Sequence, residues 1–302
     1  MEWKSDNSNQ DIEDRRDESG GGGGGMGLGG FGGVHLGIGG MLIVGVLSLV
    51  FHQNLFSVLS GSGSANAPSS SVNRPYAGDG TTADQTQQDA QEQPEFQGIR
   101  TVFHDVQRTW DTNLPAQTGA RYRHTTLVVY RDEFPSACGE AQTAVGPFYC
   151  PGDEKVYLDL GFFNELETRF GAPGKFAQAY VVAHEVGHHV QKILGIEGRV
   201  RRLQEQDPSQ QNALSVRLEL QADCFAGVWG HFSEATLNVN SQDISQGLAA
   251  AAAVGDDRLQ RAARGRVNPE SFTHGTSAQR TNAFRTGLES GQVQACNMLP
   301  IR

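Results

Sequence analysis

The sequence predicts an α+β domain with a helical C-terminal half, set behind an N-terminal third of different character. From residue 96 onward the patterns run helix, strands, then helices, without the regular alternation of a parallel α/β fold. His184 and His188 stand four apart on the first of the late helices. Composition changes near residue 95. Residues 1–94 carry 11 acidic and 4 basic side chains against 23 and 20 in residues 95–302, and 14 of the 38 glycines fall within residues 20–40. The formal charge of −10 therefore belongs mostly to the first third. The stretch 95–302 is nearly neutral and long enough for one sizeable core. It lacks the basic surface of a nucleic-acid binder.

Residues 1–33 read as an acidic tail running into the tract Gly20 to Gly25, whose backbone entropy opposes ordering. No Asp, Glu, Lys or Arg occurs between Ser19 and Asn73. Within that stretch Val34 to Leu59 is largely apolar, though His35, His52, Gln53 and Asn54 dilute it. A bilayer core needs about 20 apolar helical residues, so one transmembrane helix over 34–59 is expected. A signal-peptide core would start nearer the N-terminus and end at small residues. Arg15 and Arg16 precede the span and no cation comes after it until Arg74. The positive-inside rule then places the N-terminus in the cytoplasm and the main domain outside the inner membrane, in the periplasm. Residues 60–95, rich in Ser, Ala, Gln, Asp and Pro, read as a flexible linker, with the domain proper at 96–302.

Inside the domain, Ile99, Val102, Phe103, Val106 and Trp110 recur at helical spacing, predicting a helix over 98–112. Thr125 to Tyr130 is β-branched and aromatic, so a strand. Val145 to Cys150 and Lys155 to Leu160 flank the turn Pro151-Gly152-Asp153 and read as a hairpin. After Gly174 a helix carries Ala179, Val182, Val186, Val190 and Ile193, with Gly195 as its stop. Further helices are expected near 208–236, 242–263 and 276–289. All four cysteines come after the apolar stretch, an even number suited to an oxidising compartment. Three pairings are possible. Cys138 with Cys150 is favoured across a short loop before the hairpin, leaving Cys224 with Cys296. Zinc binding is the other use, but no C-x-x-C spacing is present.

The chemistry centres on His184-Glu185-Val186-Gly187-His188. Residues one turn apart share a helix face, so two imidazoles can grip one zinc ion while Glu185 stands beside its open side as a general base. A catalytic site needs a third ligand. The extended pattern with a third His fails, since Gln191 and Leu194 occupy the required positions. Downstream, Glu219 and Asp223 share a face of an apolar helix. Glu219 would complete a His₂Glu set, and Asp223 would accept an imidazole N–H. The reverse assignment is the alternative. His274 and Arg280 are candidates for stabilising an oxyanion, with His274 equally readable as a loop residue before a helix. His189 lies well round the helix from His184 and reads as a supporting or exposed residue. His231 could form a wall of the active site but reads rather as a plain partly buried residue, while His104 and His124 have no evident partners. Asp256-Asp257-Arg258 reads as a capping and ion-pair cluster without a catalytic role. Either hairpin strand, Val156 to Asp159 or Val145 to Tyr149, could hold an extended peptide by strand addition.

The segments H-E-V-G-H-H, E-L-Q-A-D-C and F-T-H-G-T-S-A-Q-R, with Asp11 to Arg16, the glycine run and the single span, resemble the bacterial membrane-anchored family named "putative neutral zinc metallopeptidases". The resemblance implies a zincin-like fold, one zinc ion per chain and peptide hydrolysis. The late segment is also similar to the T-H-P-…-R stretch of heat-shock-type membrane zinc peptidases, with Gly275 where Pro stands there. The expectation is a membrane-anchored zinc endopeptidase acting on a peptide or protein substrate. The competing reading is an inactive zinc-bound domain serving as an envelope scaffold. The presence of Glu185 separates them, because structural zinc needs no base beside it. Neither substrate identity nor oligomeric state can be read from the sequence.

Overall fold

A computed structural model describes residue 1 and residues 10–18, 82–142 and 146–298. The span expected at 34–59 lies outside the described residues. Among the described residues no helix is long and apolar enough to cross a membrane. Helix α1 (Thr82–Thr118) leads into β2 (Thr126–Tyr130), the small hairpin β3 (Glu133–Ser136) and β4 (Gly139–Gln142), then β5 (Phe148–Cys150) and β6 (Lys155–Asp159). Next come the helices α2 (Gly161–Thr168), α3 (Lys175–Ile193), α4 (Ile196–Gln206), α5 (Gln211–Leu237), α6 (Ser241–Ala253), α7 (Asp256–Arg264) and α8 (Ser277–Ser290). Ahead of all these, β1 (Ile12–Asp14) is an edge strand of the main sheet, whose order is β1-β2-β6-β5. β1, β2 and β6 run parallel, and β5 is antiparallel to β6.

The α+β class and the helical C-terminal half agree with the sequence reading, but three boundaries differ. First, residues 12–14, read as part of a separate tail, pair with Leu127, Val128 and Val129 of β2. Second, α1 begins at Thr82, inside the stretch read as a flexible linker. Its polar start is rich in Gln and Glu, which are good helix formers. Its acids are also paired, for Asp89 and Glu92 both receive Arg131. Third, the helix expected over 242–263 is two helices, α6 and α7, broken at Gly255. The backbone there meets the start of α8, where a Cβ on Gly255 would lie 2.3 Å from the Ser277 nitrogen.

The α1 stripe Ile99, Val102, Phe103, Val106 and Trp110 is fully buried against the sheet and the later helices. Trp110 meets the Phe225 ring edge-on, and Phe176 stacks on Trp229. α3 and α5 cross closely at the H-E-x-x-H motif, which explains its glycine. A Cβ on Gly187 would lie 2.9 Å from the Ala222 carbonyl oxygen. The crossing of α5 and α8 is closer still: Cβ atoms on Gly227 and Gly287 would fall 2.0 and 1.9 Å from the Phe284 and Cys224 carbonyl oxygens. Two disulfides, Cys138–Cys150 and Cys224–Cys296, brace the hairpin region and tie the C-terminal turn to α5.

Candidate metal centre

α3 presents His184 and His188 one turn apart, and α5 brings Glu219 across to them. His184 Nε2 lies 3.2 Å from Glu219 Oε2, and His188 Nε2 lies 3.5 Å from Glu219 Oε1. Ligand bonds of about 2.1 Å in tetrahedral array leave neighbouring donor atoms about 3.4 Å apart, so this spacing fits one zinc ion. One donor atom from each of the three residues falls within 4.8 Å of the others. The donor set fits as well: two imidazoles and a carboxylate are a catalytic zinc set with a position left open.

The Nδ1 atoms of both rings are turned away from this point by acceptors. His184 Nδ1 lies 2.8 Å from Asp223 Oδ1, and His188 Nδ1 lies 3.0 Å from Gln191 Oε1. Each Nδ1–H can thus donate outward and leave Nε2 free as a ligand. Asp223 is fully buried and in turn accepts from Arg280, whose Nε and Nη2 reach its two oxygens at 2.8 and 2.9 Å. The Tyr180 hydroxyl donates to the same carboxylate. Gln191 is itself fixed, its amide donating to the Leu218 carbonyl at 2.7 Å.

Electrostatics derive from this packing. Burial works against a charge on His184, yet Asp223 and Glu219 outweigh it and hold the imidazole pKa at about 10. Zinc binding at Nε2 requires that nitrogen unprotonated, so metal affinity here should depend on pH. Burial also opposes ionisation of Glu219, but His188, His184 and His274 keep its carboxyl well below the usual range. Burial pushes Glu185 the other way, up to about 7, although the Tyr149 backbone N–H on edge strand β5 hydrogen-bonds to it. A dication nearby would draw that value down.

His274 stands in the loop before α8, close enough to Glu219 to feel its charge. Burial would lower its pKa, but Asp256 and Glu219 raise it on balance. Asp256 Oδ1 lies 3.3 Å from His274 Nδ1, and Asp256 Oδ2 accepts the backbone N–H groups of Thr273, His274 and Gly275. Asp256 is thus more than the capping residue the sequence suggested, since it holds the loop and orients the ring. Arg280, the second expected oxyanion donor, lies behind Asp223, with Nη2 4.0 Å from Glu219. His189 is buried and turned to the strand side, between Tyr149 and the Arg123 carbonyl. His231 is exposed and ties α5 to the Leu288 carbonyl of α8, away from the site. Of the hairpin strands, β6 is paired on both sides, and β5 lies at the sheet edge among the described residues.

Tyr180, Gln191 and Asp256 were not found from the sequence. Tyr180 stands one turn before His184 and Gln191 three residues after His188, so helix spacing could have raised both. Asp256 reaches the site through tertiary packing alone.

A family profile described as "Putative neutral zinc metallopeptidase" matches residues 1–299. The uncharacterised protein YpfJ of Escherichia coli K12 is 41% identical over 300 residues, covering 98% of each chain. Uncharacterised proteins Mb2605 of Mycobacterium bovis and Rv2575 of Mycobacterium tuberculosis are each 42% identical over 205 residues, covering 64% of this chain and 67% of theirs. No solved structure matches the chain significantly. With its His₂Glu group, and with a profile match and a relative that run nearly end to end, the chain belongs to the family described as putative neutral zinc metallopeptidases.

Proposed function

We propose that the chain is a zinc-dependent endopeptidase, attached to a membrane and acting outside the cytoplasm. The observation that carries this reading is Glu185, a buried carboxylate next to a complete His₂Glu group and against an edge strand. Zinc held there by His184, His188 and Glu219 would supply Lewis acidity toward a carbonyl and a water. Glu185 accepts the proton of the attacking water and passes it to the departing amine. His274, oriented by Asp256, donates to the oxygen on which negative charge develops. Arg280 serves from behind, keeping Asp223 ionised so that it can hold the His184 ring. The edge position of β5 supports binding of an extended peptide by strand addition, which would lay its carbonyls near Glu185. Two disulfides support an oxidising compartment.

The test uses the full chain purified in detergent. The wild type is expected to hold about one zinc per chain and to cleave a mixed peptide library. Glu185→Gln should keep the zinc and lose cleavage. Zinc without any wild-type cleavage would sink the peptidase reading and favour a scaffold.

A further inference from the structure

The apolar stretch at 34–59 is flanked by two segments that the structure joins. On one side, β1 continues the sheet through backbone hydrogen bonds. Leu127 N–H donates to the Asp11 carbonyl at 2.8 Å, and Arg15 N–H donates to the Val129 carbonyl at 2.7 Å. Side chains add to this. Arg16 is 6% exposed, lies over the Phe96 ring at 4.2 Å, and pairs with Glu92 of α1 at 3.2 Å. Lys155 Nζ meets Glu13 at 2.6 Å, and His104 Nε2 meets the Gln10 carbonyl at 3.0 Å. On the other side of the stretch, α1 begins at Thr82 and carries Asp89 and Glu92 to Arg131. Arg131 also donates to the Arg16 carbonyl at 3.0 Å. Residues 10–18 and the first half of α1 thus meet at one ion-pair cluster, Arg16 and Arg131 with Asp89 and Glu92.

A chain that crossed the bilayer once between residues 18 and 82 would put β1 and β2 on opposite sides, where no hydrogen bond could join them. Two crossings would need about 40 apolar residues. Residues 34–59 supply the length for only one. We propose that residues 10–18 and the metal-binding domain lie on one side of the membrane. This replaces the orientation drawn from Arg15 and Arg16. Arg16 is tied to the domain through Glu92 and the Phe96 ring, and the Arg15 backbone N–H through the Val129 carbonyl, so neither marks a cytoplasmic flank.

The inference depends on the sheet and not on the metal chemistry, so its test is independent of peptidase activity. Glu18→Cys and Glu289→Cys are made separately in the full chain, both at exposed positions away from the site. Each is treated with a membrane-impermeant maleimide in spheroplasts before and after lysis, and the membranes are sedimented. The two positions are expected to label together, and the disulfides predict labelling before lysis. Labelling of both only after lysis also upholds a shared side. A chain that labels at one position before lysis and at the other only afterwards overturns the proposal, as does a chain that fails to sediment with membranes. As a second measurement, Arg16→Ala in membranes should make the domain more sensitive to protease. A β1 separated from the sheet by the bilayer would give no change.

Discussion

His184 sits between two carboxylates, one at each ring nitrogen, and most of the site's order derives from that placement. Asp223 fixes the tautomer and Glu219 faces the other nitrogen across the metal position. His274 is held in the same way, by Asp256 at Nδ1, with its positive charge favoured. A preorganised donor of this kind is worth about 10²–10³ in kcat. His274→Ala is therefore expected to lower kcat by about that factor while zinc content and KM change little. Steady-state kinetics with metal analysis decides it, and an unchanged kcat would return His274 to the role of a loop residue. The pair His184 and His188 and the carboxylates one turn apart on α5 were legible because a helix converts spacing of four into a shared face. Asp256 was not, because its distance from His274 in sequence carries no geometric information.

Among the elements, the α5–α8 crossing is the tightest contact. Gly287 packs directly on the Cys224 carbonyl, and Gly227 on that of Phe284. The neighbours are backbone atoms that cannot move without shifting a helix. Overpacking a core in this way costs about 1–3 kcal/mol, and more where nothing can yield. Gly287→Ala is expected to lower the melting temperature by about 5 °C or more, a shift of the size such a loss gives. It should also reduce zinc retention, because α5 carries Glu219 and Asp223. An unchanged melting temperature would mean that the helices can part without loss. Helices such as α3 and α5 were legible from their apolar stripes. α1 was found only in its apolar second half, because its first turns are polar and take their stability from Arg16 and Arg131, which sequence periodicity does not reveal.

In the molecule as a whole, residues 12–14 and the main domain form one sheet, a relation that composition concealed. The acidic residues that suggested a separate tail are partners for cations elsewhere: Glu13 for Lys155, and Asp11 for His124. His124 joins this contact to α1, lying 2.5 Å from Asp11 and 2.7 Å from Asp111. Partial burial alone would lower its pKa, but the two aspartates raise it above the ordinary 6.5. A group whose pKa rises on folding gives its full stabilisation below the unfolded value and loses it as pH climbs through the folded one. The difference in melting temperature between wild type and His124→Gln should therefore be largest near pH 5.5 and shrink by pH 8.5. A difference that grows with pH would refute this coupling. The docked strand has one more effect, on how the molecule behaves when shortened. β1 covers a row of backbone donors and acceptors along β2, and an uncovered strand edge is a template for another chain. A fragment starting at residue 95 would lose that cover together with the first turns of α1. It should self-associate through β2, seen as concentration-dependent light scattering that the full chain in detergent does not give. Removing the part that looked dispensable would thus make the domain adhesive.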